Sequence, residues 1–185
     1  MNKIDEILNF WFGADSPPDR RRDVWFMAND DFDATIREEF GADVEAALSG
    51  SFEDWKETPE GCLALILLLD QFPRNLFRGK GKAFAGDDRA VELAKFAIER
   101  GYDRDFSAVR RSFLYLPFEH SESLEDQDRS VALFESLDDE IWLDFAVRHR
   151  ETITRFGRFP SRNHALGRDS TEAELAFLKE IPMGF

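Results

Sequence analysis

An all-α fold, one domain of about seven to nine antiparallel helices, is what the spacing of apolar residues along this chain predicts. Three observations carry that expectation. Apolar side chains recur every three or four residues through nearly the whole sequence. Capping residues stand where those stripes begin. Strand formers are scarce, with 6 Val, 8 Ile and 5 Thr beside 18 Leu and 18 Ala.

Ile4, Leu8 and Trp11 step by four and three, which predicts a first helix. Asp15 to Asp23 reads as a loop, because Pro17-Pro18 and Arg20-Arg21-Arg22 interrupt the period. Phe32, Ile36, Phe40, Val44 and Leu48 mark the next helix. Thr58 followed by Pro59 is an N-cap with proline at the first helical position. The helix it opens contains the most apolar run of the chain, Cys62 to Leu69, too short to span a bilayer. Phe106, Val109, Phe113 and Leu116 form another stripe, as do Leu124, Gln127, Val131 and Phe134, and then Trp142, Phe145, His149, Ile153 and Phe156. Thr171 with Glu174 is a capping box for a last helix carrying Leu175, Leu178 and Ile181. Pro73, Pro117 and Pro160 are expected to interrupt helix interiors. Short connections imply antiparallel neighbours, and no linker divides residues 1–185.

Composition narrows the function. The formal charge of −14, from 38 acidic and 24 basic residues, disfavours nucleic acid or an anionic membrane as partner. The single Cys62 and three His, without a His-x-x-x-His pair, suggest neither a metal site nor a cofactor. The N-terminal stretch carries Asp5 and Glu6 where a signal peptide would be basic, so a cytoplasmic location is the expectation. The 19 Phe residues are read as core packing.

Three segments depart from ordinary amphipathic patterning. Leu69-Asp70-Gln71-Phe72-Pro73-Arg74-Asn75 ends the most apolar helix with a carboxylate, an amide and an arginine. Asp70 there opposes the helix dipole and needs a partner. Pro73 is expected to break the path to Arg74, so the partner should be distant in sequence, with Arg158, Arg162 and His120 as candidates. In Leu116-Pro117-Phe118-Glu119-His120-Ser121-Glu122, Pro117 should end one helix and Ser121 cap the next. Glu119 and His120 would then sit in the connection as an acid/base pair. Gln127 points inward from the following helix and must satisfy its amide. Between Arg148 and Arg168 six arginines face one acid, Glu151, with no lysine, a composition suited to planar recognition of carboxylate or phosphate. Arg158, Arg162, Asn163 and Arg168 are its binding candidates, joined by Arg74 and Asn75. Salt-bridging to an acidic body is the simpler alternative for these arginines. His149, on an apolar stripe, is read as a core histidine. Phe72-Pro73-Arg74-Asn75 echoes Phe159-Pro160-Ser161-Arg162-Asn163, as two turns meeting at one pocket would.

These motifs resemble those of the bacterial family catalogued as domain of unknown function 924, from Phe10-Trp11-Phe12 to Thr171-Glu174. They stand here as Asp70-Gln71-Phe72-Pro73-Arg74-Asn75, Leu116-Pro117-Phe118-Glu119-His120-Ser121-Glu122 and Arg155-Phe156-Gly157-Arg158-Phe159-Pro160, continuing through Arg162-Asn163 and Leu166-Gly167-Arg168. The resemblance implies an all-helical, tetratricopeptide-repeat-like fold and names no activity. Ser161 stands where the family motif usually reads His. Two functions stay open: a small protein binding, or acting on, an anionic molecule in an Arg/His/Asp pocket, with Asp70, His120 and Glu119 as its acid/base residues, or a helical scaffold for a protein partner.

Overall fold

The computed structural model describes residues 2–13, 21–27 and 29–180, and among these the regular structure is entirely helical. The α-helical segments are α1 (Lys3–Phe12), α2 (Asp30–Leu48), α3 (Pro59–Ile66), α4 (Phe72–Leu76), α5 (Asp87–Glu99), α6 (Ala108–His120), α7 (Leu124–Glu135), α8 (Glu140–Phe156) and α9 (Glu172–Glu180). Most of the loop expected at Asp15 to Asp23 lies outside the described residues, as does Ile181. No helix among the described residues is long and apolar enough to cross a membrane.

The caps form as the sequence specifies. Thr58 Oγ1 accepts from Gly61 N at 3.2 Å, with Pro59 opening α3. Thr171 Oγ1 accepts from Glu174 N, and Glu174 Oε2 accepts from Thr171 N, completing the box at α9. That last helix differs from expectation in one respect. Its buried residue is Glu174, while Leu175 is 50% exposed, because α9 is held by the polar contacts of Glu174 together with the ring of Phe177, 5.0 Å from that of Phe156.

From Cys62 to Phe72 every residue is buried, so this stretch forms the axis of the core. α1, α2, α5 and α6 pack around it, α7 packs on α6, and α8 on both α6 and α7. Aromatic rings fill the gap at one end. Trp11 lies 5.3 to 6.2 Å from the rings of Phe72, Phe113, Phe32 and Trp25.

Two prolines behave differently from expectation. α6 continues through Pro117 to His120. Pro73 does not end the axis either: a π turn at Leu67–Gln71 widens the helix by one residue and leads directly into α4. Pro73 cannot donate to the carbonyl of Leu69, four residues back. Gly86, immediately before α5, packs its Cα against that carbonyl, and a Cβ there would lie 2.3 Å from Leu69 O. The absent side chain is what lets the start of α5 approach the π turn.

Gly86→Ala therefore forces the start of α5 off the π turn. Denaturant unfolding should show a loss of about 1–3 kcal/mol, the usual cost of overpacking. An unchanged midpoint would show that α5 does not depend on this approach.

Candidate functional site

The π turn directs Asp70 into the interior, where it is fully buried. Its Oδ1 accepts from His120 Nδ1 at 2.7 Å and lies 3.2 Å from Arg74 Nη1. Its Oδ2 accepts from Gln71 Nε2 at 2.5 Å. Asp70 is thus held by a distant residue, His120, and also by Arg74. The i,i+4 pairing survives because the path through Pro73 stays helical. Burial pushes the Asp70 carboxyl up, but Arg74, His120 and Gln71 outweigh it and hold it well below the usual carboxylate range.

His120 closes the last turn of α6. Ser121 follows as its C-cap in extended backbone, not as the N-cap of α7, so Glu119 and His120 are helical residues near the negative end of the helix dipole. Burial and the charge of Arg74 lower the His120 imidazole below its ordinary value, against Asp70, which raises it. With Nδ1 donating to Asp70, Nε2 is the nitrogen available to a ligand.

Asp87, the first residue of α5, joins two arginines from behind. Arg74 donates Nη1 to Oδ1 at 2.8 Å and Nη2 to Oδ2 at 3.0 Å, and Arg162 donates Nη1 to Oδ2 at 3.1 Å. Arg162 also donates Nη2 to the carbonyl of His120 at 2.9 Å. Its guanidinium lies 4.7 Å from the Phe84 ring centre and 4.4 Å from that of Phe159, which fixes its plane. Burial and the charge of Arg74 lower Arg162 to about 10, so it stays charged at neutral pH.

Arg74, Arg162, His120 and His149 together wall a cavity of about 390 Å³, with Arg78, Phe84, Phe159 and Ser161 completing the lining. His149 escaped sequence reasoning as a site residue. It is indeed buried, and its Nδ1–H donates to Phe145 O at 2.8 Å, yet its ring stands 6.3 Å from that of His120 on the cavity wall. Asp87 and Phe84 carried no motif. Phe159 was signalled by the repeated Phe-Pro turn and by the motif from Arg155 to Pro160, though not as a lining residue.

Other candidates lie elsewhere. Arg158 donates Nε and Nη2 to Glu174 and Nη2 to the carbonyl of Asp169, tying α9 to the end of α8. Arg168 grips both oxygens of Glu122 at 2.7 and 2.9 Å and donates Nε to Asn163 Oδ1 at 3.0 Å. Asn163 Nδ2 donates in turn to Ser170 Oγ at 3.0 Å. These residues hold the 157–171 segment in place, and do not line the cavity. Gln127 Nε2 caps α6 through the carbonyls of Phe118, Glu119 and Ser121. Asn75 donates to Asp33 Oδ1, which Arg78 also engages, joining α4 to α2. Arg148 and Arg150 pair with Asp144 and Asp128. Of the six arginines only Arg162 lines the cavity, because its carboxylate partner, Asp87, lies behind the cavity wall. Among the described residues no group of three or more His, Cys, Asp or Glu could hold a metal ion.

The chain belongs to the family described as a bacterial protein of unknown function, DUF924, whose model matches residues 7–181. It is also similar to the solved structure of a protein of unknown function from Agrobacterium tumefaciens. The two are 40% identical with a TM-score of 0.87, over 96% of this chain and 97% of that one. No curated protein matches the sequence.

Behind the cavity, Glu119 Oε1 lies 3.4 Å from His149 Nδ1, and Oε2 is buried without a hydrogen bond among the described residues. Burial and the neighbouring Asp70 push Glu119 up to about 8, while burial and His120 push His149 down to about 3. The signs oppose one another. Glu119 keeps a proton that the unfolded chain releases above 4.5, so its contribution is complete below 4.5 and is lost as pH rises toward about 8. His149 refuses a proton that the unfolded chain takes up below 6.5, so its contribution is lost as pH falls from 6.5 toward about 3. Between 4.5 and 6.5 the folded and unfolded pair each hold one proton, and the pair's contribution is level. Glu119→Gln should remove the alkaline decline, gaining on wild type by roughly 1 kcal/mol per pH unit above 4.5. Chemical denaturation across pH measures this, and parallel profiles for the two proteins would contradict it.

Proposed function

We propose that this DUF924 member binds a small anionic molecule in the cavity beside Arg74 and Arg162, and that the Asp70–His120 pair moves a proton to or from it. One observation carries the proposal: the guanidiniums line the cavity while the carboxylates that anchor them, Asp70 and Asp87, lie behind. The open side therefore offers planar N–H donors and positive potential to an incoming oxyanion.

The cation pair is also under mutual repulsion, since the charge of Arg74 is one reason Arg162 is lowered. An anion between them relieves that repulsion. His120 supplies the chemistry. Asp70 accepts its Nδ1–H, fixes the tautomer and stabilises the imidazolium that forms when Nε2 takes a proton. Burial and the charge of Arg74 keep the ring neutral near pH 7, ready to act as a base. The alternative, a tetratricopeptide-like scaffold for a protein partner, draws on the helical fold alone, and a fold names no function.

Small carboxylates or phosphate should raise the melting temperature more than chloride at matched ionic strength, because a ligand that binds only the folded state stabilises it. Arg162→Ala should abolish the difference. Arg158→Ala should lower the melting temperature overall and leave the difference intact, since Arg158 is committed to Glu174. Equal stabilisation of wild type and Arg162→Ala would contradict the proposal.

A further inference from the structure

The groups facing His120 come from every element around it. Asp70 comes from the π turn, Arg74 from α4, Asp87 from the start of α5, Glu119 from α6 itself, His149 from α8 and Arg162 from the turn that follows. Two arginines balance two aspartates. Glu119 and His149 are neutral near pH 7, because burial opposes charge on each. Arg78, across the cavity, is balanced by Asp33. These groups therefore bring no net charge to a ligand.

A ligand carboxylate adds one negative charge beside this neutral cluster, in which Asp70 is fully buried and His120 nearly so. An uncompensated charge there is costly, so the site gains by taking up a proton. Glu119 already holds its proton, and an imidazolium at His149 would have only the neutral carbonyl of Phe145 at Nδ1 and the charges of Arg162 and Arg74 against it. His120 is the base on the cavity wall whose positive charge is already provided for, since Asp70 accepts from Nδ1 at 2.7 Å. A proton on Nε2 then gives the ligand oxygen a third donor beside the two guanidiniums.

We infer that the cavity selects a small, singly charged carboxylate and takes it up together with one proton, which His120 acquires. This builds on the anion binding proposed above. A dianion such as phosphate brings a second negative charge, and the remaining base on the wall, His149, is held neutral by burial and by the charges around it, so a dianion is disfavoured. In the loaded site His120 is an acid, poised to return its proton to the bound molecule.

Calorimetric titration of the full chain with sodium propanoate, in two buffers of different ionisation enthalpy, counts the protons taken up. Uptake should approach one per propanoate near neutral pH. The dissociation constant should weaken by nearly tenfold per pH unit from about pH 6.5 to about pH 8, as linkage of one proton requires. Inorganic phosphate should bind more weakly than propanoate at the upper end of that range. His120→Asn keeps an amide donor toward Asp70 and cannot titrate, so its propanoate affinity should be level with pH. The imidazole nitrogen spectrum of wild type provides a readout that needs no variant: Nε2 of His120 should move to the imidazolium position when propanoate is added. Propanoate binding without proton uptake, a His120 that stays neutral when loaded, or phosphate bound more tightly than propanoate would overturn this inference while leaving the anion site standing. Failure of wild type to bind either anion would overturn both.

Discussion

A carboxylate buried inside the most apolar helix of the chain is the constraint on which the arrangement turns. Left unpaired, Asp70 would cost several kcal/mol, and satisfying it commits Arg74 one turn on and three distant parts of the sequence. His120 must end α6 beside it. The helix must continue past Pro73 so that Arg74 can reach back, and the π turn makes that continuation. Arg74 then needs Asp87, which fixes the start of α5 against the π turn at Gly86. Asp87 brings Arg162, which returns to the carbonyl of His120 and closes the ring. A π turn is a rare insertion, and such turns are frequent at functional sites.

A second network does quieter work. Glu122 receives Arg168 and the backbone N–H of Phe159, Arg168 steadies Asn163, and Arg158 holds Glu174 at the N-terminus of α9. Burial pushes Glu122 up, yet Arg168 and Phe159 N–H together keep it below the usual range. This network touches no part of the cavity lining except Phe159, whose backbone N–H and carbonyl it engages. It holds the 157–171 segment so that Phe159 and Arg162 stand on the cavity wall. Arginine serves two purposes within 21 residues of sequence: Arg162 faces the cavity, and its neighbours lock the frame.

Much of the helical order was legible, because stripes such as Ile36, Phe40 and Val44 and caps such as Thr58 and Thr171 are local signals. Pro73 and Pro117 misled, since whether a proline ends a helix depends on what replaces its missing hydrogen bond, and that is tertiary. The conflict at Asp70 was legible for a different reason: a charge at the end of an apolar run needs a partner wherever the partner lies. Which residues hold Arg74 and His120 in place was not. Nothing local distinguishes Arg162, which shares Asp87, from Arg158, which pairs with Glu174, and Asp87 looks like any acidic residue in a first helical turn. His149 was hidden by being two things at once, a buried residue on an apolar stripe and part of a cavity wall.

The most direct measurement of the central claim is a crystal structure of the protein grown with 4-bromobenzoate, whose unreactive aryl bromine gives an anomalous signal. The predicted result is a carboxylate within about 3 Å of guanidinium nitrogens of both Arg74 and Arg162, and of Nε2 of His120. Bromine found only at surface arginines such as Arg155, with the cavity holding no anion, would contradict it.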